Sequence, residues 1–107
     1  MHKIRYTELA DTDLFDIYVY TYQTWGASQA ISYTAGLKSA IDRIAQEPTR
    51  PGTIDRSNLR QGYRSYHQQR HLIFYRVVEN TIEIIRVLHD SMDIANRLSA
   101  VDQDNDE

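Results

Sequence analysis

Residues 71–89, with the sequence HLIFYRVVENTIEIIRVLH, decide the fold of this chain. They contain two apolar runs of strand length, 71–78 and 81–89, separated only by Glu79 and Asn80. This spacing predicts an antiparallel hairpin with a two-residue turn. Both runs are apolar at successive positions, so we expect the sheet to be covered on both sides.

The side-chain faces of this hairpin follow from strict alternation, unless a one-residue bulge intervenes. One predicted face holds Leu72, Phe74, Arg76, Glu83, Ile85, Val87 and His89. The other holds His71, Ile73, Tyr75, Ile84, Arg86 and Leu88.

Before the hairpin, a strand candidate at residues 2–6 leads into a helix that Thr7 or Asp11 can cap and that Gly26 ends. This helix carries two apolar stripes at helical spacing. The first stripe is Leu14, Ile17, Tyr18, Thr21 and Trp25, and the second is Phe15, Val19 and Tyr22. One short helix cannot bury two stripes against a single sheet, so the second stripe must meet another helix or another protein.

A second helix, which Ser28 can cap, runs to Pro48 after a turn of two or three residues, so the two helices form an antiparallel hairpin. Residues 48–58 read as a loop without a strand, 59–67 as a strand with a possible bulge at Gly62, and 91–98 as a short helix. The sequence thus predicts an α+β domain over residues 1–98. It comprises an N-terminal strand, a helical hairpin on a mainly antiparallel sheet of three to four strands, and a short C-terminal helix. Residues 99–107 are expected to be an acidic, disordered tail.

Composition narrows the class of protein. Hydrophobic residues make up 41% and charged residues 25%, which is the range of a globular domain. There is neither an apolar run long enough to cross a bilayer nor a signal-peptide pattern, so a cytoplasmic location is expected. The absence of Cys excludes disulfides and thiolate metal sites. No nucleotide-binding or hydrolase motif occurs, and no His has a partner four residues away on a predicted helix, so neither metal nor organic cofactor is expected.

Charge is unevenly distributed along the chain. Residues 50–101 hold 8 Arg and no Lys against 5 acids, whereas residues 1–49 hold 4 bases against 6 acids. This asymmetry predicts that the second half meets an anionic surface.

The individual cations differ in their interpretation. Arg60 and Arg64 share a predicted strand face without an acidic neighbour in sequence, which favours function. Arg76 lies on the face of Glu83, so an ion pair and a functional cation are both open. Arg86 has apolar neighbours, which favours a structural role, and His89 could pack, cap or act as an acid or base.

Four segments resemble the ParE branch of the RelE/ParE toxin superfamily. They are ADTDLFDIYVYTYQTWG, QAISYTAGLKSAIDRIAQEPTRPG, LRQGYRSYHQQRHLIFYRV and IEIIRVLHDSMDIANRL, and they span about residues 3–98. The resemblance implies a toxin of a type II toxin–antitoxin pair that inhibits DNA gyrase, blocks replication and is neutralised by a ParD-like antitoxin. It implies no membrane partner, no specific nucleic acid, and a possible higher-order toxin–antitoxin assembly.

The alternative is a RelE-like, ribosome-dependent mRNA endoribonuclease. Such an enzyme could use Arg64, Arg76 and His89 to activate a ribose hydroxyl and stabilise the transition state. Members of that branch often carry a Tyr near the C-terminus, whereas Met92 and Asp93 follow His89 here.

The gyrase-inhibitor interpretation is preferred, with no catalytic residue. The residues predicted to bind the target are Arg60, Arg64, Arg86, His89 and Met92. Those predicted to bind the antitoxin are Phe15, Val19, Tyr22 and Tyr33, exposed in the lone toxin and covered in the complex.

Overall fold

A computed structural model describes residues 1–98 of the chain, so the predicted acidic tail lies outside the described residues. The elements in chain order are β1 (Lys3–Tyr6), α1 (Glu8–Trp25), α2 (Ala27–Gln46), β2 (Thr53–Asp55), β3 (Arg64–Gln68), β4 (His71–Val78) and β5 (Thr81–His89). Residues 94–98 are helical. This arrangement confirms the α+β class, the helical hairpin and the short C-terminal helix.

The five strands form one sheet in the order β1-β5-β4-β3-β2, in which β1 runs parallel to β5 and the other neighbours are antiparallel. The predicted number of three to four strands was therefore too low. The missed strand is β2, which pairs with β3 from Thr53 opposite Tyr66 to Asp55 opposite Arg64. Three residues are too few to produce a recognisable alternation, so composition indicated only a loop.

The third strand is shorter than predicted. It begins at Arg64, and Gly62 lies before it in a turn with φ +88° rather than in a bulge. The two-residue turn at Glu79 and Asn80 is confirmed, because Val78 pairs with Thr81.

The β4–β5 ladder contains a bulge that corrects the predicted faces. Tyr75 pairs with Ile84, but Phe74 pairs with Arg86, so one residue of β5 is left over between the two pairs. Beyond this point the alternation of β5 is reversed relative to β4. Val87 and His89 therefore pair with Ile73 and His71, and Leu88 pairs with Leu72.

The two helices are joined by a single residue. Thr7 caps α1, since its Oγ1 accepts a hydrogen bond from the Ala10 N–H at 3.0 Å and donates one to the Ile85 carbonyl at 2.8 Å. Gly26, with φ +94° and ψ 173°, is at once the C-cap of α1 and the N-cap of α2. The predicted turn was longer, and the predicted cap at Ser28 is not used because α2 begins at Ala27.

Core side chains lie on both faces of the sheet, as predicted. Between the sheet and the helices the buried residues include Ala10, Ile17, Leu37, Ile41, Ile44, Ile73, Tyr75, Ile82, Ile84 and Val87. On the other face a smaller cluster contains Tyr63, Phe74, Ile85, Leu88 and Leu98. Within residues 1–98, neither helix combines the length and apolar character needed to cross a membrane.

Candidate functional site

A groove of about 640 Å³ separates α1 and the first turns of α2 from the adjoining ends of β4 and β5. The segment after β5 forms its remaining wall. The residues that line it include Asp13, Asp16, Tyr20, Trp25, Tyr33, Arg70, His71, Arg86, His89, Met92 and Arg97. Its volume lies in the range of ordinary ligand pockets.

The floor of the groove is built where β5 lacks a strand neighbour. The last residue of β1, Tyr6, pairs with Ile84, so the ladder between β1 and β5 ends there. Side chains of α1 and its cap take over the role of the missing strand. Thr7 donates to the Ile85 carbonyl, and the Asp13 carboxylate accepts a hydrogen bond from the Val87 N–H at 3.0 Å.

Asp13 also holds Arg86 in a bidentate ion pair, with distances of 2.7 Å from Nε and 2.8 Å from one terminal nitrogen. The other terminal nitrogen of Arg86 donates to the Arg97 carbonyl at 3.1 Å. Arg86 thus joins α1, β5 and the C-terminal helix. The prediction that Arg86 contacts the target is corrected, because its side chain is buried and committed to Asp13.

Three rings form one side of the groove. The Tyr33 hydroxyl lies 2.5 Å from His71 Nδ1, and the His71 ring meets the His89 ring edge to face at a centroid distance of 5.3 Å. The Arg70 backbone N–H donates to the same Tyr33 oxygen at 3.3 Å. The Tyr33 hydroxyl therefore links the start of β4 to α2 through two hydrogen bonds.

Burial lowers the pKa of His71 to about 4, and the neighbouring His89 adds to this effect. His71 is consequently neutral near pH 7, with one of its two ring nitrogens unprotonated. Burial also raises the pKa of Tyr33, which keeps its hydroxyl a donor.

His89 has its own fixed partners. Its Nδ1 accepts a hydrogen bond from the Ser91 N–H at 3.1 Å and lies 2.7 Å from Ser91 Oγ. Asp90 lies between His89 and His67, with an oxygen 3.2 Å from His67 Nε2. Met92 follows at the groove and is exposed, so it is accessible to a partner, and its predicted role in target binding stays a prediction.

A second surface lies on the other side of α1 and is called the outer stripe below. It consists of Phe15, Tyr18 and Tyr22, and Phe15 and Tyr22 are 66% and 52% exposed. The Tyr18 and Tyr22 rings stack at 6.3 Å. Phe15 and Tyr18 line a shallow cavity of about 530 Å³ with Lys38 of α2.

Two residues predicted to belong with this stripe are placed differently. Tyr33 is half-buried and lies in the groove, bonded to His71, so the prediction that it is exposed for an antitoxin is corrected. Val19 is half-buried and lines neither the groove nor the outer cavity.

Comparison with known proteins identifies the family. Residues 4–94 match the sequence model described as ParE toxin of type II toxin-antitoxin system, parDE. The chain belongs to the ParE toxin family. Toxin ParE1 of Caulobacter vibrioides is 45% identical over 92 residues, which cover 86% of this chain and 93% of that protein. Toxin ParE1 of Mycobacterium tuberculosis is 41% identical over 90 residues, covering 83% and 90%.

Solved structures show the same fold in both branches of the superfamily. A chain of the chromosomal ParDE toxin–antitoxin system from P. aeruginosa superimposes with a TM-score of 0.71 at 20% identity, covering 83% of this chain and 96% of that one. A chain of the RelBE2 toxin–antitoxin complex from Mycobacterium tuberculosis superimposes with a TM-score of 0.56 at 24% identity, covering 82% and 96%. The fold is therefore common to ParE and RelE relatives, and the family assignment rests on sequence.

The remaining cations of this ParE-family toxin are distributed over separate places. Arg64 is partly buried and donates to Thr53 Oγ1 at 2.8 Å. It pairs with Asp55 of β2, so it has an acidic neighbour on the adjacent strand although none is close in sequence. Arg60 lies in the preceding turn, exposed and outside any strand, so the predicted shared strand face is wrong. Arg76 pairs with Glu83 at 2.7 Å, which settles the two interpretations left open in favour of the ion pair.

Sequence reasoning missed two features of the groove. Asp13 appeared only as a helix-start acid, because nothing local connects it to Arg86, which is 73 positions away. The contact of Tyr33 with His71 likewise joins residues 38 positions apart. Among residues 1–98 no cluster of His, Cys, Asp and Glu has the geometry of a metal site.

Proposed function

We propose that this ParE-family toxin is a non-enzymatic protein inhibitor of DNA gyrase and that a ParD-type antitoxin neutralises it. Family membership supports the toxin class. The choice of an inhibitor over a nuclease rests on one observation, the ion pair between Arg86 and Asp13.

A ribonuclease of this fold needs an unpaired cation close to an acid–base group, because the transition state of phosphodiester cleavage carries extra negative charge. Arg86 and His89 both line the groove, but the guanidinium charge of Arg86 is neutralised by the Asp13 carboxylate. The acid–base groups beside Arg70 and Arg97 are engaged, because Ser91 donates to His89 Nδ1 and the Tyr33 hydroxyl lies against His71 Nδ1. We therefore propose that the groove serves as contact surface rather than as a proton-transfer site.

The outer stripe supports binding of an antitoxin. Large apolar side chains that remain exposed next to one another on a single helix are typical of a protein interface. We propose that Phe15 and Tyr22, with Tyr18 between them, are covered by the antitoxin. The cavity beside the stripe carries both signs of charge, Lys38 with Asp11 and Asp42, so the aromatic side chains rather than net charge support this interface.

Of the residues predicted to meet the target, His89 and Met92 fit this role best, because both lie at the groove. Arg60 is a weaker candidate, since it lies outside the residues that line the groove. We propose no direct role for Arg64 and Arg86, because Arg64 donates to Thr53 and Arg86 is paired with Asp13.

The function is tested with two assays run side by side. Purified toxin is added to a gyrase supercoiling reaction and, in parallel, to translating ribosomes programmed with mRNA. We expect inhibition of supercoiling that the antitoxin reverses, and intact mRNA. Cleaved mRNA together with uninhibited gyrase would establish the RelE-like alternative instead.

The outer stripe is tested with Phe15→Asp and Tyr22→Asp. Each should weaken antitoxin affinity by at least about tenfold, the size expected for an aromatic interface anchor. Ile31→Asp is the matched control, because Ile31 is an exposed apolar residue of α2 that lines neither cavity. If all three variants bind the antitoxin as the wild type does, while their melting curves are normal, the antitoxin binds elsewhere.

A further inference from the structure

The groove differs from the outer stripe in position, charge and construction. We propose that the groove is a second, separate docking site, which receives an acidic peptide segment of the toxin's protein target carrying a large apolar side chain. The identity of the target as gyrase rests on the proposed function, whereas the assignment of the groove rests on the observations below.

The first observation is position. Tyr20 faces the groove and Tyr22 belongs to the outer stripe, and two positions along an α-helix correspond to a rotation of about 200°. Tyr20 and Tyr22 therefore lie on nearly opposite sides of α1, whereas Trp25, three positions after Tyr22, lies where the two surfaces meet at the end of the helix. A partner that covers one surface leaves the other accessible, so the toxin can recognise two partners through different residues.

The second observation is the apolar wall of the groove. Tyr20 and Trp25 are 67% and 71% exposed, although burial of such large rings would stabilise a monomer. Met92 faces them across the groove. Aromatic and methionine side chains are enriched at the centres of protein interfaces, and here they surround one concave space.

The third observation is charge. Arg70 and Arg97 are exposed at the groove, and neither side chain forms an ion pair with another residue of the described range 1–98. Asp13 is neutralised by Arg86, and His71 is uncharged, so Asp16 is the only other unpaired charge among the groove residues named above. A net cationic rim around an apolar wall complements an acidic segment that carries an apolar anchor.

The fourth observation is that the groove is preformed. Arg86 fixes the C-terminal helix through the Arg97 carbonyl and fixes α1 through Asp13, so both walls are held by one guanidinium. A preformed site binds a peptide without the entropic cost of closing around it. The apolar wall favours a peptide with an apolar side chain, and the rim, two Arg against Asp16, has far less than the basic excess typical of a nucleic-acid site.

The experiment compares two groove variants with two controls. Tyr20→Ala removes the apolar ring of the groove that lies farthest around α1 from the outer stripe, and Arg70→Glu combined with Arg97→Glu reverses the rim charge. Ile31→Ala controls for loss of an exposed apolar side chain. Lys3→Glu controls for charge reversal, because Lys3 pairs with Thr81 at the opposite end of β5.

Three measurements are made on each variant: inhibition of gyrase supercoiling, growth arrest on expression in bacteria without antitoxin, and affinity for the ParD-type antitoxin that neutralises the wild type. Both groove variants should need at least about tenfold more toxin for half-inhibition and should lose growth arrest, with antitoxin affinity unchanged within twofold. Both controls should behave as the wild type in all three measurements.

The outcomes separate the groove from the proposed function. Groove variants that inhibit gyrase as the wild type does would overturn the groove assignment and leave the function intact. If even the wild type leaves gyrase active, the proposed function fails, and growth arrest then tests the groove assignment. Groove variants that still arrest growth would overturn the assignment. Groove variants that no longer arrest growth but still bind the antitoxin would support it. The groove assignment would also be overturned if the groove variants lost antitoxin affinity in parallel. It would likewise be overturned if the wild type cleaved mRNA in the ribosome assay and the groove variants did not.

Discussion

Replacing Asp13 by Ala should destabilise this toxin more than replacing any surface charge. The Asp13 carboxylate accepts hydrogen bonds of 2.7 and 2.8 Å from Arg86 and one of 3.0 Å from the Val87 N–H. The side chains of Arg86 and Asp13 are only 10% and 11% exposed, so the guanidinium would lose the carboxylate that balances its charge, and the N–H would lose its acceptor, with little water to replace either.

The magnitude follows from those contacts. Breaking a buried ion pair by removing one partner costs about 3–5 kcal/mol. The Val87 N–H left without an acceptor adds a penalty of about 1–3 kcal/mol. This penalty overlaps with the cost of breaking the ion pair, because water entering the groove would solvate both groups. We take the lower limit, about 3 kcal/mol in the free energy of unfolding, which corresponds to a fall in Tm of roughly 12–24 °C for a domain of this size.

The assay is urea unfolding followed by far-ultraviolet circular dichroism, arranged as a double-mutant cycle. Asp13→Leu combined with Arg86→Met should recover most of the loss, since an apolar pair leaves no uncompensated charge. Arg76→Gln is the matched control and should cost less than about 1 kcal/mol. The side chain of Arg76 is 39% exposed, and its partner Glu83 keeps a second ion pair with Arg5 at 3.1 Å.

Two results would refute this reasoning. One is a cost of Asp13→Ala no larger than that of Arg76→Gln, which would mean that water already screens the pair. The other is a double variant no more stable than the single one, which would mean that packing rather than charge compensation stabilises this junction.

The remaining predictions concern protonation, the second groove histidine and the helix junction. Unfolding free energy should fall as the pH drops from 6.5 to about 4, because over this range the unfolded chain binds a proton at His71 more readily than the folded chain does. The full pKa shift is worth about 3 kcal/mol, which the partial exposure of His71 reduces to about 1–2 kcal/mol. This pH dependence should be absent from urea titrations of His71→Gln, and identical pH profiles of the two proteins would contradict the prediction. His89→Gln should keep growth arrest within a few-fold, whereas a loss of about 10²–10⁴ with a normal melting curve would indicate acid–base catalysis. Gly26→Ala should cost about 1–3 kcal/mol in thermal melts, because φ +94° with ψ 173° is essentially restricted to glycine. Gly36→Ala, which has room for a Cβ within α2, should instead gain about 0.5–1 kcal/mol, and equal effects of the two substitutions would be unexpected.

The elements that sequence predicted well are those with local signals. Each helix repeats its apolar positions over five turns or more, and the β4–β5 hairpin has two apolar runs around a two-residue turn. Such patterns depend only on neighbours in the chain. The strand Thr53–Asp55 could not be found in this way, because an edge strand of three residues is specified by its partner β3 rather than by its own alternation.

The candidate site was predictable only in part, for a related reason. Exposure of Phe15 and Tyr22 follows from the geometry of one helix, and the sequence indicated it. The role of Arg86 depends on a carboxylate that lies close in space and far away in the chain. Its apolar neighbours in β5 did indicate a structural cation, and the structure supports that interpretation over the target contact that the family resemblance suggested.

The groove owes its chemistry to the single bulge between β4 and β5. In the register that begins at the turn, where Val78 pairs with Thr81 and Tyr75 with Ile84, continuation without a bulge would place His71 opposite Leu88. The extra residue shifts the pairing by one, so His71 lies opposite His89 instead. The same shift puts Val87 on the helix-facing side, where it joins the core between sheet and helices, while its N–H at the uncovered edge of β5 donates to Asp13. Removing the bulge would separate the histidines and misplace the edge that Asp13 completes, so the ring cluster and the ion pair depend on one irregularity that alternation alone cannot predict.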